Sequence, residues 1–162
     1  MRGRHGPGIL FGVVLILLGA AGVVASCGGD DAPSQEDFAD QANEICREVE
    51  QSLENVAEGA ESPEEIADAV DRVIEESRKT VDELADLERP EGEAGETAQD
   101  FVDATRKEVQ DEGIPALERL REALEREDQE ATQEAALQLQ QIDSAASNAA
   151  ARKLGATACT GG

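Results

Sequence analysis

Apolar residues recur along this chain at spacings of three and four, with no sustained alternation, a pattern that predicts helices and no sheet. The first stripe is Phe38, Ala42, Ile45, Val49, Leu53 and Val56, in a helix expected from about Ser34 to Glu58. Ser34 with Asp37 three residues on supplies the cap, and Gly59 the stop. A second helix opens at Ser62-Pro63-Glu64-Glu65, where serine caps, proline takes the first helical position and Glu65 completes a capping box. Its stripe is Ile66, Val70, Val73, Ser77, Val81, Leu84 and Leu87, and Pro90 with Gly92 ends it.

A third stripe, Ala98, Phe101, Thr105 and Val109, meets Gly113-Ile114-Pro115 and resumes out of register as Leu117, Leu120 and Leu124. Proline removes a backbone donor and disfavours helical geometry in the residue before it. One long helix kinked near Gly113–Pro115 is expected, with two separate helices as the alternative. The last helix is expected to run from a cap at Asp128 to Lys153 on the stripe Ala131, Ala135, Leu139, Ile142, Ala146 and Ala149. Leu154-Gly155 is its predicted end. Short connections make successive helices antiparallel neighbours, so the expected fold is all-α, an up-down-up-down four-helix bundle.

The segment before Cys27 breaks this pattern. It holds no Asp or Glu, begins with the positive stretch Met1-Arg2-Gly3-Arg4-His5, and continues as an apolar run from Ile9 to Ala25. A positive start, an apolar middle and small residues before a cut site make a secretory signal. The run is interrupted by Gly12, Gly19 and Gly22 and lies at the lower end of what spans a bilayer, so an uncleaved anchor is the alternative and plain secretion a third. The order Val24-Ala25-Ser26-Cys27 resembles the lipobox of bacterial lipoproteins, in which the cysteine receives diacylglycerol and becomes the first mature residue. Two acyl chains on Cys27 suffice for stable attachment, where one holds only marginally. The expected division is a cleaved signal peptide over 1–26, a lipidated Cys27 and flexible tether over 27–35, and an acidic helical domain over 36–162. The expected place is the extracytoplasmic face of the cell membrane.

Charge narrows the partners. Cleavage removes Arg2 and Arg4 but no acids, so the 14 basic side chains fall to 12 against 37 acidic ones. Such a field repels phosphate backbones and anionic headgroups, which disfavours nucleic acid and a basic membrane patch. The acids are spread along every helix, as on a solvated face. Phe38 and Phe101 are the only aromatics after Cys27, so there is little material for a large apolar ligand pocket.

Two further cysteines remain, Cys46 on the first helix and Cys159 past the last. A pair in an exported domain is usually oxidised, and antiparallel packing sets the end of the fourth helix beside the start of the first. A Cys46–Cys159 disulfide is expected. A redox or nucleophilic role is disfavoured because the pair has no Cys-x-x-Cys spacing and no histidine follows His5.

The stretches Ala42-Asn43-Glu44-Ile45-Cys46 and Leu154-Gly155-Ala156-Thr157-Ala158-Cys159 resemble small exported helical lipoproteins of actinobacteria. That resemblance implies the bundle and the disulfide. It implies no reaction and carries over no functional residues.

Without a histidine in the mature chain, nitrogen-ligated zinc, the Glu-x-x-His di-iron pattern and the usual general base are excluded. No Gly-x-Ser-x-Gly elbow, phosphate-binding glycine loop or EF-hand spacing is present. Carboxylate pairs such as Glu64-Glu65 and Glu75-Glu76 sit at helix-surface positions, where nothing raises an acid for catalysis. No catalytic residue, metal ligand or cofactor is therefore expected. The expected function is a membrane-tethered structural or protein-interaction module whose partners are membrane lipid through diacylglyceryl-Cys27 and another exported or membrane protein. The alternative is a solute or cation binder using surface carboxylates. A binder requires acids converging on one concave place; a module requires dispersed acids and an exposed apolar strip.

Overall fold

The computed structural model describes residues 32–56 and 62–160. The expected signal segment, the lipid acceptor Cys27, the first part of the tether and the Gly59 stop lie outside the described residues. Those described form helices and turns, with no strand among them. Helix α1 is Gln35–Val56 and α2 is Pro63–Asp86. Helix α3, Gly92–Arg106, runs through a π-helical segment, Lys107–Gly113, into α4, Ile114–Glu125, as one unbroken rod. Helices α5, Gln129–Leu139, and α6, Ala145–Leu154, follow, and a 3-10 turn at Thr157–Cys159 ends the chain's regular structure.

The helix starts follow local chemistry. The Ser34 hydroxyl accepts from the Asp37 backbone N–H at 3.1 Å, and the Asp37 carboxylate accepts from the Ser34 backbone N–H at 3.1 Å. The same reciprocal bonds join Ser62 and Glu65 at the start of α2, with Pro63 in the first turn. Each pair satisfies two backbone donors that the helix leaves unpaired. Asp128 caps α5 by accepting from the Ala131 backbone N–H at 3.1 Å.

Packing fixes the direction of the rods. One core cluster joins Phe38 and Ala42 of α1 to Leu84 of α2, Ala98, Phe101 and Val102 of α3, and Ala151 and Leu154 of α6. The start of α1 therefore meets the end of α2, the middle of α3 and the end of α6. A second cluster joins Val70 and Ile74, early in α2, to Ile114, Leu117, Leu120 and Leu124 of α4. Arg78 pairs with Glu118 at 3.1 Å and Arg121 with Asp71 at 2.9 Å, so residue numbers rise along α2 as they fall along α4. Phe38 and Phe101 are fully buried, each contributing about 1.5–3 kcal/mol relative to exposure.

Three expectations change in detail. The α2 face is turned: Ala67 and Ile74 are buried, whereas Ile66 is 37% exposed and Val73 half-buried. Val70 and Ile74 face Ile114, Leu117, Leu120 and Leu124, and hydropathy alone does not tell Ile74 from Ile66. At Gly113–Pro115 the rod continues through the π-helical turn, where the Ile114 N–H reaches back five residues to the Val109 carbonyl. The wider turn accommodates one more residue than an α-helical turn. It also brings Leu117, Leu120 and Leu124 onto the core face despite the broken spacing.

The third change is a correction. The last helix is not continuous from Asp128 to Lys153; it is interrupted at residues 140–144. Asp143 Oδ1 accepts from the Ala145 N–H at 2.9 Å, starting α6 afresh, and the new phase buries Ser147, Ala151 and Leu154. Ala146 and Ala149, expected on the core stripe, are exposed.

Candidate functional site

The densest set of specific contacts lies where the start of α1 meets the end of α6. Gly155 follows α6 in the left-handed conformation, φ +94°, which glycine adopts at no steric cost. The Ala156 N–H bonds back to the Ala151 carbonyl at 2.9 Å and the Gly155 N–H to that of Arg152 at 3.3 Å, the pair of bonds that closes a Schellman turn. This reverses the chain and delivers Ala156, fully buried, into the first core cluster. Cys159, three residues on, forms a disulfide with Cys46 across a Cα–Cα distance of 5.2 Å.

The tail is held by side chains of α1 as well as by sulfur. Asn43, only 7% exposed, donates from Nδ2 to the Gly155 carbonyl at 3.2 Å and accepts at Oδ1 from the Ala158 N–H at 2.7 Å. Gln35 Nε2 donates to the Lys153 and Leu154 carbonyls at 3.1 and 3.0 Å, satisfying two acceptors left open at the end of α6. Lys153 pairs with Glu93 at 3.1 Å. The result is a latch of a buried amide, an exposed amide and a disulfide, spread from the start to the middle of α1.

A second polar cluster sits where the π-helical turn faces α6. Ser147, 6% exposed, donates to Glu108 Oε2 and also to the Ser144 carbonyl. The Thr105 hydroxyl, one turn before Glu108, is buried without a hydrogen-bond partner. An added Cβ on Gly113 would lie 3.9 Å from Ile142 Cδ1. The two departures from regular helix, the π-helical turn and the break at 140–144, therefore pack on each other.

A shallow depression of about 580 Å³ lies at the other end of α2, where Glu64 and Asp68 face Glu125 and Glu127 around Pro63 and Leu124. Among the described residues, no group of three His, Cys, Asp or Glu side chains could hold a metal ion. The large apolar residues exposed among them are Ile66 and Leu137, on different helices, so the apolar strip expected of an interaction module is not found among the described residues and a partner would meet a mainly polar surface. No described helix is long and apolar enough to cross a membrane.

The resolved pKa shifts belong to structural contacts. The Ser34 hydroxyl, then the Ser34 backbone N–H, hold the Asp37 carboxyl below the usual range. The hydrogen bond from Arg121 to Asp71, with the attraction between their charges, raises the guanidinium above its ordinary value.

Of the residues singled out in the sequence, Cys46 and Cys159 come together as a bonded pair, and Cys27 lies outside the described residues. Sequence reasoning gave Asn43 no role, although it lies in the Ala42–Cys46 stretch one turn before Cys46. It also missed the Glu108–Ser147 contact, for which the only sign was Asp143-Ser144, a capping pair inside an alanine-rich run. No protein-family model, curated protein or solved structure matches this chain.

Proposed function

We propose that this protein is an exported lipoprotein, anchored through diacylglyceryl-Cys27 to the extracytoplasmic face of the cell membrane, whose domain is a structural or protein-interaction module. The observation that carries the reading is Val24-Ala25-Ser26-Cys27 closing an apolar run that follows a positive start and contains no acid. The Cys46–Cys159 disulfide supports export, because such bonds persist in oxidising compartments. The domain is read as an up-down-up-down four-helix bundle whose fourth arm is the broken pair α5–α6. The shared core of α1, α2, α3 and α6 and the opposed numbering of α2 and α4 support that arrangement.

The tether begins at the latched end. Residues 28–34 span at most about 24 Å when extended, which bounds the reach from Cys27 to the start of α1. Helix α2, at 24 residues, is about 36 Å long. An alkyne fatty acid supplied to producing cells tests the anchor: the wild type takes up label and Cys27→Ser does not. Label that persists in the variant, or none in the wild type, removes the lipid from the account. Cross-linking in intact membranes tests the module, which predicts an adduct of one discrete mass; monomer alone contradicts it.

The solute- or cation-binding alternative draws on the carboxylates of Glu64, Asp68, Glu125 and Glu127 around one depression. Calcium titration followed by calorimetry separates the two. The module reading predicts no saturable heat, and one saturable site abolished by Glu125→Gln replaces it.

A further inference from the structure

We infer that Asn43 selects the disulfide: its clamp on the tail directs Cys46 to Cys159 and keeps Cys27 out of the pairing. The chain has three cysteines, and until Cys27 receives lipid all three carry a thiol that an oxidant can reach. Cys159 stands 113 positions after Cys46. Cys27, on the other side, is the nearer thiol along the chain. Its loop to Cys46 is about six times shorter, and closure probability falls as about the 3/2 power of loop length, so an unstructured chain favours Cys27 about 15-fold. The bond that forms is the distant one. Structure made before oxidation must therefore reverse the bias of the bare chain.

Asn43 is placed to do this. It precedes Cys46 by three residues, so the two side chains share a face of α1. Its amide grips the tail backbone at Gly155 and at Ala158, the residue next to Cys159. Both bonds go to backbone atoms and involve no sulfur, so they are available while the cysteines are still thiols. The Schellman turn and buried Ala156 bring the tail back; the amide sets its last residues opposite Cys46. Asn43 is thus a positioning residue for an oxidation it does not perform.

The oxidation itself balances with a disulfide oxidant such as glutathione disulfide. The Cys46 thiolate attacks the oxidant's S–S bond and releases one glutathione. The Cys159 thiolate then attacks the mixed disulfide at the Cys46 sulfur and releases the second, and the protons of the two cysteines end on the two glutathiones. One consequence rests on the lipoprotein reading: the thiol spared is the one that would receive the lipid. The pairing claim stands without it and is tested on a chain carrying no lipid, so the two fail separately.

The test uses the full-length chain made by cell-free translation in detergent, so that Cys27 keeps its thiol. The reduced, urea-unfolded chain is refolded in a glutathione redox buffer, and the disulfides are mapped by peptide mass. The wild type gives Cys46–Cys159 as its main product. Asn43→Ala lowers the ratio of Cys46–Cys159 to Cys27–Cys46 on the order of tenfold, as expected when a buried amide no longer bonds the tail backbone. A ratio unchanged in Asn43→Ala overturns the inference. The double variant Cys27→Ser, Asn43→Ala separates selection from folding: closure of Cys46–Cys159 with normal helical circular dichroism supports selection. Failure to close shows that Asn43 serves the fold alone and overturns the proposal.

Discussion

Replacing both bonded cysteines, Cys46→Ser with Cys159→Ser, isolates the contribution of the disulfide to stability. The bond joins residues separated by 113 positions, a loop that takes in nearly the whole domain. Constraining a loop of about 100 residues in the unfolded chain contributes about 4.7 kcal/mol in the chain-entropy account. That figure is an upper one, since residual structure in the unfolded chain reduces it. The effect acts on the unfolded ensemble, and the native helices should persist because Asn43, Gln35 and Ala156 still dock the tail. With a urea slope of about 2 kcal/mol/M, the midpoint should fall by about 2 M. The assay is urea unfolding followed by far-UV circular dichroism, on wild type and double variant side by side. A midpoint shift below about 0.5 M at unchanged slope refutes the entropic reasoning. A variant already non-helical without urea refutes the claim that backbone clamps hold the tail.

Smaller perturbations test other parts of the structure. Phe101→Ala empties the centre of the first core cluster and should cost about 3–5 kcal/mol by urea midpoint, with helicity retained. Ser62→Ala removes the cap of α2 and should cost about 1 kcal/mol in the same assay. Gly95→Ala would place a Cβ 2.1 Å from the Pro90 carbonyl oxygen, so the start of α3 must move. A cost of about 1–3 kcal/mol is expected, and a neutral result contradicts that close approach. Asp37 is depressed in the folded state below its unfolded value of 3.8, so its stabilising contribution is present above that pH. It is lost as pH falls through the lower folded value; in a pH series of thermal melts Ser34→Ala should lower stability by a constant amount from pH 7 to 5 and flatten the acid limb below that.

What could be read from the sequence divides along physical lines. Local chemistry was legible: the Ser62-Pro63-Glu64-Glu65 box, the Ser34–Asp37 pair, the glycine after Leu154 and the even cysteine pair all behave as their residue types dictate. Phase was less legible. Apolar size pointed to Ile66 and Val73, but the phase of α2 buries Ala67 and places Ile74 against α4. The break at residues 140–144 was hidden because alanine and glutamine favour helix on both sides, and only Asp143-Ser144 marks the restart. Pro115 signalled a disturbance, which the chain resolves by widening a turn and keeping the rod continuous. Of the latch, the sulfurs were readable and Asn43 was not, because a single polar residue on a mixed face carries no periodic signal.

The most direct measurement is the intact mass of the protein extracted from membranes, with and without reductant. The account predicts residues 27–162 plus a diacylglyceryl group, a mass that rises by two hydrogens when Cys46–Cys159 is reduced. A mass that retains residues 1–26 and carries no lipid contradicts the anchor and leaves a protein held by its N-terminal apolar run.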